Sequence, residues 1–217
     1  KMNEMVELYK SASPIVTVIM VTYNRAEYLD RSIGSFLNQT FKNTELLVID
    51  DGSEDNTFEV VLKYMMAHDN IRYFRHSNRN ISLSKNVGLK AAAGRYITFL
   101  DSDDALKPDY LESRVDYMEH HPEMDMIEGG VIIIGNPYVK DRNNPERLIH
   151  LSECHIGATY FGKTEVFLSS GGYDKSITYS EDSQFWTKVE KKYKTGKFDY
   201  PGYIYYRDTP GSVCNTV

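Results

Sequence analysis

Residues 95–104 read Arg95-Tyr96-Ile97-Thr98-Phe99-Leu100-Asp101-Ser102-Asp103-Asp104, a short run of strand-forming residues that ends in three carboxylates within four positions. Carboxylates gathered where a buried strand emerges are unfavourable without a partner, because like charges repel and burial penalises each charge. A divalent cation is the simplest partner, since Mg²⁺ and Mn²⁺ prefer hard oxygen ligands and bind one or two carboxylates together with substrate phosphates. The stretch therefore predicts a metal at a strand end, holding a diphosphate.

The composition indicates a globular, soluble chain. Its 217 residues are 41% hydrophobic and 26% charged, which favours one domain with a sizeable core. The net charge of −6 argues against nucleic acid as a partner, because a phosphate backbone needs a basic surface, but it allows one small phosphorylated ligand. The longest apolar run, 15–21, is far shorter than a membrane span, and residues 1–10 show no signal peptide. With only Cys154 and Cys214, no disulfide framework is predicted, and a reducing cytoplasm is expected.

Strand and helix patterns alternate through the first half of the chain. Apolar, β-branched runs without polar alternation are typical of strands buried on both faces of a parallel sheet, and they occupy 15–21, 46–49, 71–74 and 95–100. Helical periodicity lies between them, so a parallel α/β sheet is predicted. Open sheets of this kind bind ligands at the carboxyl ends of their strands. Three of those ends carry polar segments, and we expect them to converge on one crevice: 22–25, 50–53 and 101–104.

The second half of the chain is less regular. We expect a helix up to about Glu119, an exposed loop over 136–150 and a strand over 155–161. Glu181 and Asp182 open a further helical pattern that Ser180 is placed to cap. A carboxylate in the first turn of a helix is favoured as the anion by roughly 0.3–1 kcal/mol, so Asp182 is expected to be ionised at neutral pH.

Eight short segments follow one another in a specific order and spacing: Pro14–Arg25, Glu45–Ser53, Lys85–Leu89, Ala93–Tyr96, Asp101–Asp104, Gly171–Asp174, Glu181–Asp182 and Tyr206–Arg207. In that order they closely resemble the family 2 glycosyltransferases of the GT-A fold, over about residues 14–213. The resemblance implies a Rossmann-like, mostly parallel α/β sheet flanked by helices, with a smaller mixed acceptor-side part. It also implies one domain over 14–213, with a nucleotide-sugar-binding half (14–104) and an acceptor-side half (105–213), after an N-terminal tail of residues 1–13.

The same resemblance implies an activity. This is the inverting transfer of a sugar from a nucleotide-diphosphate sugar, most often a UDP-sugar, to a hydroxyl acceptor, with Mg²⁺ or Mn²⁺ as cofactor. The implied partners are the nucleotide-sugar donor and a saccharide or lipid-linked saccharide acceptor, in bacterial surface polysaccharide synthesis. Such an enzyme is expected in the cytoplasm, without a transmembrane segment, and its role is compatible with peripheral contact at the inner face of the membrane. The donor sugar and the oligomeric state stay open.

Site roles follow from the resemblance by position. The residues implied at the donor are Thr22, Tyr23, Arg25, Asp51, Lys85, Asp101, Ser102 and Asp103. Among them, Asp51 is expected to hydrogen-bond the base and Asp101 to face the ribose or donor sugar. Asp103 is expected to be the main metal ligand, with Asp101 as a second one, and Asp182 to be the catalytic base. Thr209 stands near a position where many members have histidine, which removes one metal or diphosphate contact.

Plainer structural interpretations stay open beside these roles. The Asp50–Ser53 segment also suits a turn with a helix cap, and Asp101–Asp104 also suits a solvated loop. Glu181–Asp182 suits ordinary acids at a helix start. Lys85, where the family often has arginine, is also compatible with a surface lysine, and Trp186 is either core or a platform for an acceptor sugar.

Two other functions compete with the glycosyltransferase hypothesis. A sugar-nucleotide nucleotidyltransferase needs a glycine-rich phosphate loop after the first strand, and residues 22–25 contain no glycine. A non-catalytic nucleotide- or sugar-binding module on the same fold is disfavoured by the presence of both Asp103 and Asp182. A dinucleotide-dependent oxidoreductase is set aside, because no G-x-G-x-x-G motif follows a predicted strand.

Overall fold

Strands and helices alternate along the first half of the chain, as the hydrophobic pattern predicts. The computed structural model describes residues 13–77, 79–141, 144, 146–177 and 180–210. Up to residue 99 its elements are β1 (Val16–Thr22), α1 (Ala26–Leu37), β2 (Thr44–Asp50), α2 (Thr57–Ala67), β3 (Ile71–Arg75), α3 (Ile81–Ala91) and β4 (Tyr96–Phe99). The expected N-terminal tail, residues 1–13, lies almost wholly outside the described residues.

The second half has shorter and more varied elements. They are β5 (Ala105–Leu106), α4 (Tyr110–His120), β6 (Met126–Glu128), β7 (Val131–Ile134), β8 (Tyr138–Lys140), β9 (Leu148–His150), β10 (Phe161–Lys163), α5 (Thr164–Ser169), α6 (Glu181–Val189), β11 (Thr195–Lys197) and β12 (Tyr203–Tyr206). The strand expected over 155–161 is wrong in its extent. A single 3₁₀ turn, Gly157–Thr159, comes first, and the strand begins only at Phe161.

Seven of the described strands form one sheet in the order β11-β6-β10-β4-β1-β2-β3. β1 lies inside this sheet, next to the central strand β4, and pairs in parallel with β2 and β4. β10 pairs antiparallel with β4 and with β6, so the sheet is mixed but mostly parallel. A second sheet has the order β5-β12-β7, and β8 pairs with β9 as a separate hairpin. This architecture confirms the expected α/β class with a smaller mixed part.

The large sheet is covered on both faces, which explains why its central strands lack polar alternation. Side chains alternate between the faces of a strand: Val18 and Met20 of β1 pack into one core, and Ile19 packs into the other. The first core also contains side chains of α1, α2 and α4, and the second those of α3, α5 and α6. All seven residues of β2 are buried. The middle of such a strand, residues 46–49 in β2, is therefore apolar on both sides, and buried polar residues occur only near its ends.

The order of the strands brings three strand ends together. β1, β2 and β4 are neighbours and run in the same direction, so the loops after Thr22, Asp50 and Phe99 leave the same edge of the sheet. We call the space above these loops the strand-end crevice. Across the described ranges, the structure contains no helix with the length and apolar character needed to span a membrane.

Candidate active site

The loops after β1 and β2 are joined directly to each other. The N–H of Asp51 donates to the carbonyl of Thr22 (2.9 Å), and the N–H of Asn24 donates to the Ser53 hydroxyl (2.9 Å). Thr22 is buried, and its hydroxyl oxygen has no hydrogen-bond partner in the described structure. A buried hydroxyl without a partner is unfavourable. This side of the strand-end crevice therefore offers one polar group that a ligand would satisfy.

The Asp51 carboxylate organises the start of α3. It is buried and accepts the backbone N–H groups of Arg79 and Asn80, each at 2.7 Å. His76 lies on the same carboxylate, with Nδ1 3.2 Å from Oδ1. These contacts fix the carboxylate in place at the crevice. Its expected contact with a nucleotide base stays a prediction.

Tyr23 and Arg25 lie at the mouth of the strand-end crevice. Tyr23 is 39% exposed, and the Arg79 guanidinium lies over its ring at 3.6 Å. The Arg25 side chain donates to the carbonyl of Pro210 (2.6 Å). This bond ties the loop after β1 to the chain beyond β12. Tyr23 thus offers an exposed aromatic ring beside the Arg79 guanidinium, an arrangement suited to a nucleotide.

The acidic loop after β4 is held by strand β12. The Tyr203 hydroxyl donates to Asp104 Oδ2 (2.8 Å) and accepts the N–H of Asp101 (3.0 Å). The N–H of Tyr206 donates to Asp104 Oδ1 (2.8 Å). Asp104 is fully buried, whereas Asp101 and Asp103 are half-buried. Asp104 therefore anchors the loop to β12, and Asp101 and Asp103 are the acids that face the crevice.

The protein compensates the charges of this loop incompletely: Lys85 opposes the rise in the pKa of Asp101 but forms no ion pair with it. In the described part of the chain, no ion pair involves the carboxylates of Asp101, Asp103 or Asp104. Burial and the neighbouring Asp103 carboxylate raise the pKa of Asp101 to about 7. Burial and the charge of Asp101 raise the pKa of Asp104 to about 9. The loop thus resists carrying three negative charges by itself.

A divalent cation would supply the positive charge that this loop lacks. Asp101 and Asp103 offer hard carboxylate oxygens, two residues apart, and neither forms an ion pair in the described structure. Within the described residues, no three His, Cys, Asp or Glu side chains converge closely enough to hold a metal ion by themselves. Two carboxylates are enough for Mg²⁺ or Mn²⁺, because these ions complete their shell with water and substrate phosphates.

The acids at the start of α6 lie in the same region, and both form ion pairs with a buried lysine. Lys85 Nζ, on α3, is 2.9 Å from Glu181 Oε1 and 2.6 Å from Asp182 Oδ1. The charges of Asp182 and Glu181 also act on Asp101. The structure therefore brings Lys85, Asp101 and Asp182 together, although Asp182 is far from the other two in sequence. Lys85, expected at the nucleotide, has two carboxylates as its partners.

Asp182 is also enclosed from the side of β10. The Tyr160 hydroxyl donates to the Asp182 carbonyl (3.0 Å), and the N–H of Gly157 donates to the Asp182 carboxylate. A Cβ at Gly157 would lie 2.0 Å from Asp182 Cγ. Only glycine therefore fits beside this carboxylate.

Trp186 belongs to the core, which settles its two interpretations. Its side chain is 4% exposed, and the His155 ring stacks on it at 5.3 Å. His155 in turn pairs through Nδ1 with Glu128 Oε1 at 2.7 Å. His155, which is half-exposed, is the more accessible of these two stacked rings.

Several positioning residues carried no signal in the sequence. Arg31 of α1 donates to the carbonyl of Asp103 and lies over the Tyr206 ring at 3.8 Å. Arg31 reads only as a polar position of an amphipathic helix, and Tyr203 only as part of a tyrosine-rich strand. Gly157 lies outside every recognised motif. Their roles depend on contacts between segments far apart in sequence.

Comparison with known proteins gives consistent relatives. The model of the family described as "Glycosyl transferase family 2" matches residues 17–172. Glycosyltransferase GlyA of Streptococcus pneumoniae is 38% identical over 201 residues, covering 87% of this chain and 27% of the relative. An uncharacterized glycosyltransferase of Haemophilus influenzae is 29% identical over 196 residues, covering 82% of this chain and 61% of the relative. The chain therefore spans less than two thirds of these relatives.

Solved structures share the fold at low sequence identity. Residues 1–349 of Staphylococcus aureus TarS, in complex with UDP-GlcNAc, superpose with a TM-score of 0.76 at 20% identity, covering 93% of this chain and 61% of that one. The mannosyltransferase PcManGT of Pyrobaculum calidifontis, in complex with GDP-Man and Mn²⁺, gives a TM-score of 0.72 at 20% identity, covering 98% and 65%. With a family match over most of its length and the same GT-A fold, this chain belongs to glycosyltransferase family 2.

Proposed function

We propose that the chain is the catalytic part of an inverting, metal-dependent glycosyltransferase that uses a nucleoside-diphosphate sugar, with uridine as the nucleoside. One observation carries the proposal: Asp182 lies within electrostatic reach of Asp101, beside a loop whose acids form no ion pair in the described structure. A base for the acceptor and carboxylates for a metal–diphosphate complex are thus available in one crevice. The complexes of TarS with UDP-GlcNAc and of PcManGT with GDP-Man and Mn²⁺ support a nucleotide-sugar donor.

Asp103 and Asp101 are the residues that would hold Mg²⁺ or Mn²⁺. When bound, the ion would neutralise the diphosphate of the leaving nucleotide as a Lewis acid. Asp101 would also face the ribose or donor sugar, beside the buried Ser102. The Tyr203 hydroxyl keeps Asp101 in place through its backbone N–H.

The nucleotide would lie over the ends of β1 and β2. The unpartnered hydroxyl of Thr22 and the exposed ring of Tyr23 would contact it, with Arg25 at the mouth of the crevice. Asp51 would accept a hydrogen bond from the base through carboxylate lone pairs that the N–H groups of Arg79 and Asn80 leave unused.

Asp182 would act as the general base. Inverting transfer is one in-line displacement: the acceptor oxygen bonds to the anomeric carbon while the bond to the diphosphate oxygen breaks. The acceptor's hydroxyl proton must leave as the new bond forms, and Asp182 would take it. No covalent nucleophile is required. For the acceptor we propose a saccharide or lipid-linked saccharide of a bacterial surface polysaccharide, a setting that the bacterial relatives support.

The test is a panel of nucleotide sugars, including UDP- and GDP-linked ones, screened by thermal stabilisation and by release of nucleoside diphosphate. We expect at least one UDP-sugar to stabilise the protein with Mn²⁺ and to be turned over slowly. Chelation with EDTA should remove both effects. Equal stabilisation in EDTA would contradict the metal role, and no response to any donor would contradict the proposed activity.

A further inference from the structure

Lys85 is buried at a place where a nucleotide contact was expected. Its side chain is 7% exposed, and Nζ lies between the carboxylates of Glu181 and Asp182 at 2.9 and 2.6 Å. The rings of Tyr173 and Phe99 flank the ammonium group, with centroids 4.8 and 5.9 Å away. One lysine thus bridges two consecutive acids that lie almost a hundred residues further along the chain. A buried charge is kept in this way only when it is paired.

We propose that Lys85 is a positioning residue for Asp182, and not a contact to the nucleotide. The inference rests on the proposed role of Asp182 as the base. By holding Oδ1, Lys85 fixes the orientation of the carboxylate, so that Oδ2 is the oxygen that receives the acceptor's proton. The N–H of Gly157 supports the same carboxylate from the opposite side. Two fixed contacts leave Asp182 little freedom to rotate.

Lys85 also acts on the pKa of Asp182, which lies above its ordinary value even with this cation beside it. Burial raises the pKa of Asp182, the adjacent Glu181 raises it further, and the ammonium group of Lys85 opposes both. The other titratable groups facing this carboxylate are Asp101 beyond β4 and the hydroxyls of Tyr160 and Tyr173. None of these three is a cation. Without Lys85, the two buried acids would share a proton, and the base would be lost.

This role differs from a nucleotide contact in what it affects. A lysine whose ammonium is held by two carboxylates and enclosed by aromatic rings has little capacity left for a diphosphate. Its removal should therefore lower kcat and leave the donor KM unchanged. A lysine that bound the nucleotide would raise the donor KM instead.

The experiment compares Lys85→Met and Lys85→Arg with the parent in ¹³C-aspartate-labelled protein. The Asp182 carboxyl resonance is identified by its loss in Asp182→Asn and followed from acid to alkaline pH. Removing a cation at this distance should raise the Asp182 midpoint by about one to three pH units. Lys85→Arg should keep the midpoint near the parental value. Because Lys85 also acts on Asp101, whose pKa is about 7, calorimetry with uridine diphosphate uses saturating Mn²⁺ at alkaline pH, where affinity should be unchanged in both variants.

Two further variants serve as controls. Lys90→Met removes an exposed lysine of the same helix and should not move the Asp182 midpoint. If Lys85→Met does not fold, Lys85→Met/Glu181→Gln relieves the repulsion between the two acids, and its Asp182 midpoint is then compared with that of Glu181→Gln alone.

The outcomes separate this inference from the proposed function. An unshifted Asp182 midpoint in Lys85→Met overturns the inference, as does a loss of uridine diphosphate affinity, which would return Lys85 to the nucleotide. Where a donor has been identified, the acid limb of the kcat profile should move to higher pH in Lys85→Met. An Asp182→Asn variant that retains transfer would overturn the base assignment, whatever the titration shows.

Discussion

Two groups of acids lie in the strand-end crevice, and their charges are compensated in different ways. The loop after β4 carries Asp101, Asp103 and Asp104 without an ion pair in the described structure, and burial raises the pKa of Asp101 to about 7. The start of α6 carries Glu181 and Asp182, and both contact the buried ammonium of Lys85. In our proposal, the first group takes a cation from outside the protein. The second has a cation of its own.

The difference suggests that the two groups of acids serve separate steps, donor binding and proton transfer. A base that depended on the metal for its charge would change its basicity whenever the metal or the diphosphate left. Because Lys85 is part of the fold, the cation that lowers the pKa of Asp182 is present whether or not the donor is bound, and the loop acids remain available for an ion that arrives with the donor. We therefore expect donor binding and proton transfer to be separable by mutation.

The largest effect is expected from Asp182→Asn. The amide keeps the shape but cannot accept the proton, and loss of a general base lowers turnover by about 10²–10⁴-fold. Affinity for uridine diphosphate with Mn²⁺, measured by calorimetry, should be unchanged because the β4 loop is intact. Near-normal turnover would move the base elsewhere and remove the distinction between the two groups.

Asp103→Ala should affect only the acids of the β4 loop, and with them the binding of metal and donor. Loss of an outer-shell contact already lowers metal affinity by about 10–100-fold, and loss of a ligand should lower the Mn²⁺-dependent affinity for uridine diphosphate at least as much. The matched control is Asp116→Ala, an exposed acid on α4, which should bind as the parent does. Equal affinity of Asp103→Ala and the parent would place the metal at other residues.

Gly157→Ala tests how closely Asp182 is held. The new Cβ would lie 2.0 Å from Asp182 Cγ, so the carboxylate must move, and a misplacement of about 1 Å can lower turnover by about 100-fold. Uridine diphosphate binding should be retained. Gly34→Ala, with no atom within 4 Å of its Cβ, is the control and should keep full turnover. A fully active Gly157→Ala would contradict the tight fit.

Tyr203→Phe should weaken the link between the β4 loop and β12. The buried hydroxyl serves both Asp104 Oδ2 and the N–H of Asp101, and leaving buried groups unsatisfied costs about 1–3 kcal/mol. Urea denaturation at neutral pH would measure the loss in unfolding free energy. Tyr138→Phe, at a tyrosine that is half exposed, should change little. Equal stability of both variants would show that the loop is held by other contacts.

The smallest effect is expected at a surface ion pair, with which the buried pair of Lys85 and Asp182 can be compared. Lys163 Nζ lies 2.9 Å from Asp125 Oδ1. Partial burial acts to raise the pKa of Asp125, but the bonds from Lys163 and from the Lys194 N–H outweigh it and hold the pKa below its ordinary 3.8. The pair therefore stabilises the fold above pH 3.8, and this contribution is lost as the pH falls through the lowered pKa.

Lys163→Met should reduce the free energy of unfolding by about 0.2–1 kcal/mol at pH 7, the range of exposed ion pairs. The gap to the parent, measured by urea denaturation at several pH values, should close in acid as Asp125 takes up a proton. A gap that stays constant down to acidic pH would show that packing of the lysine stem, and not its charge, is responsible.

Much of the nucleotide half was predictable because its signals are local. The apolar runs of β1 and β2 mark strands covered on both faces, and the polar residues that end them lie at one sheet edge because parallel neighbours share a direction. The requirement for glycine at position 94 was not predictable in this way. A Cβ there would lie 2.5 Å from the Thr17 backbone nitrogen, so glycine is required by close packing on β1.

The sequence by itself determined the α/β class, the family, and the acids at 101, 103 and 182 as candidates, because periodicity and motif order are properties of the chain. Three contacts became visible only in the folded molecule. Lys85 pairs with Asp182, glycine is required at position 157 beside that carboxylate, and Tyr203 holds the β4 loop. Those contacts join segments that are tens of residues apart or more. Their energies depend on burial and distance, which no local pattern encodes.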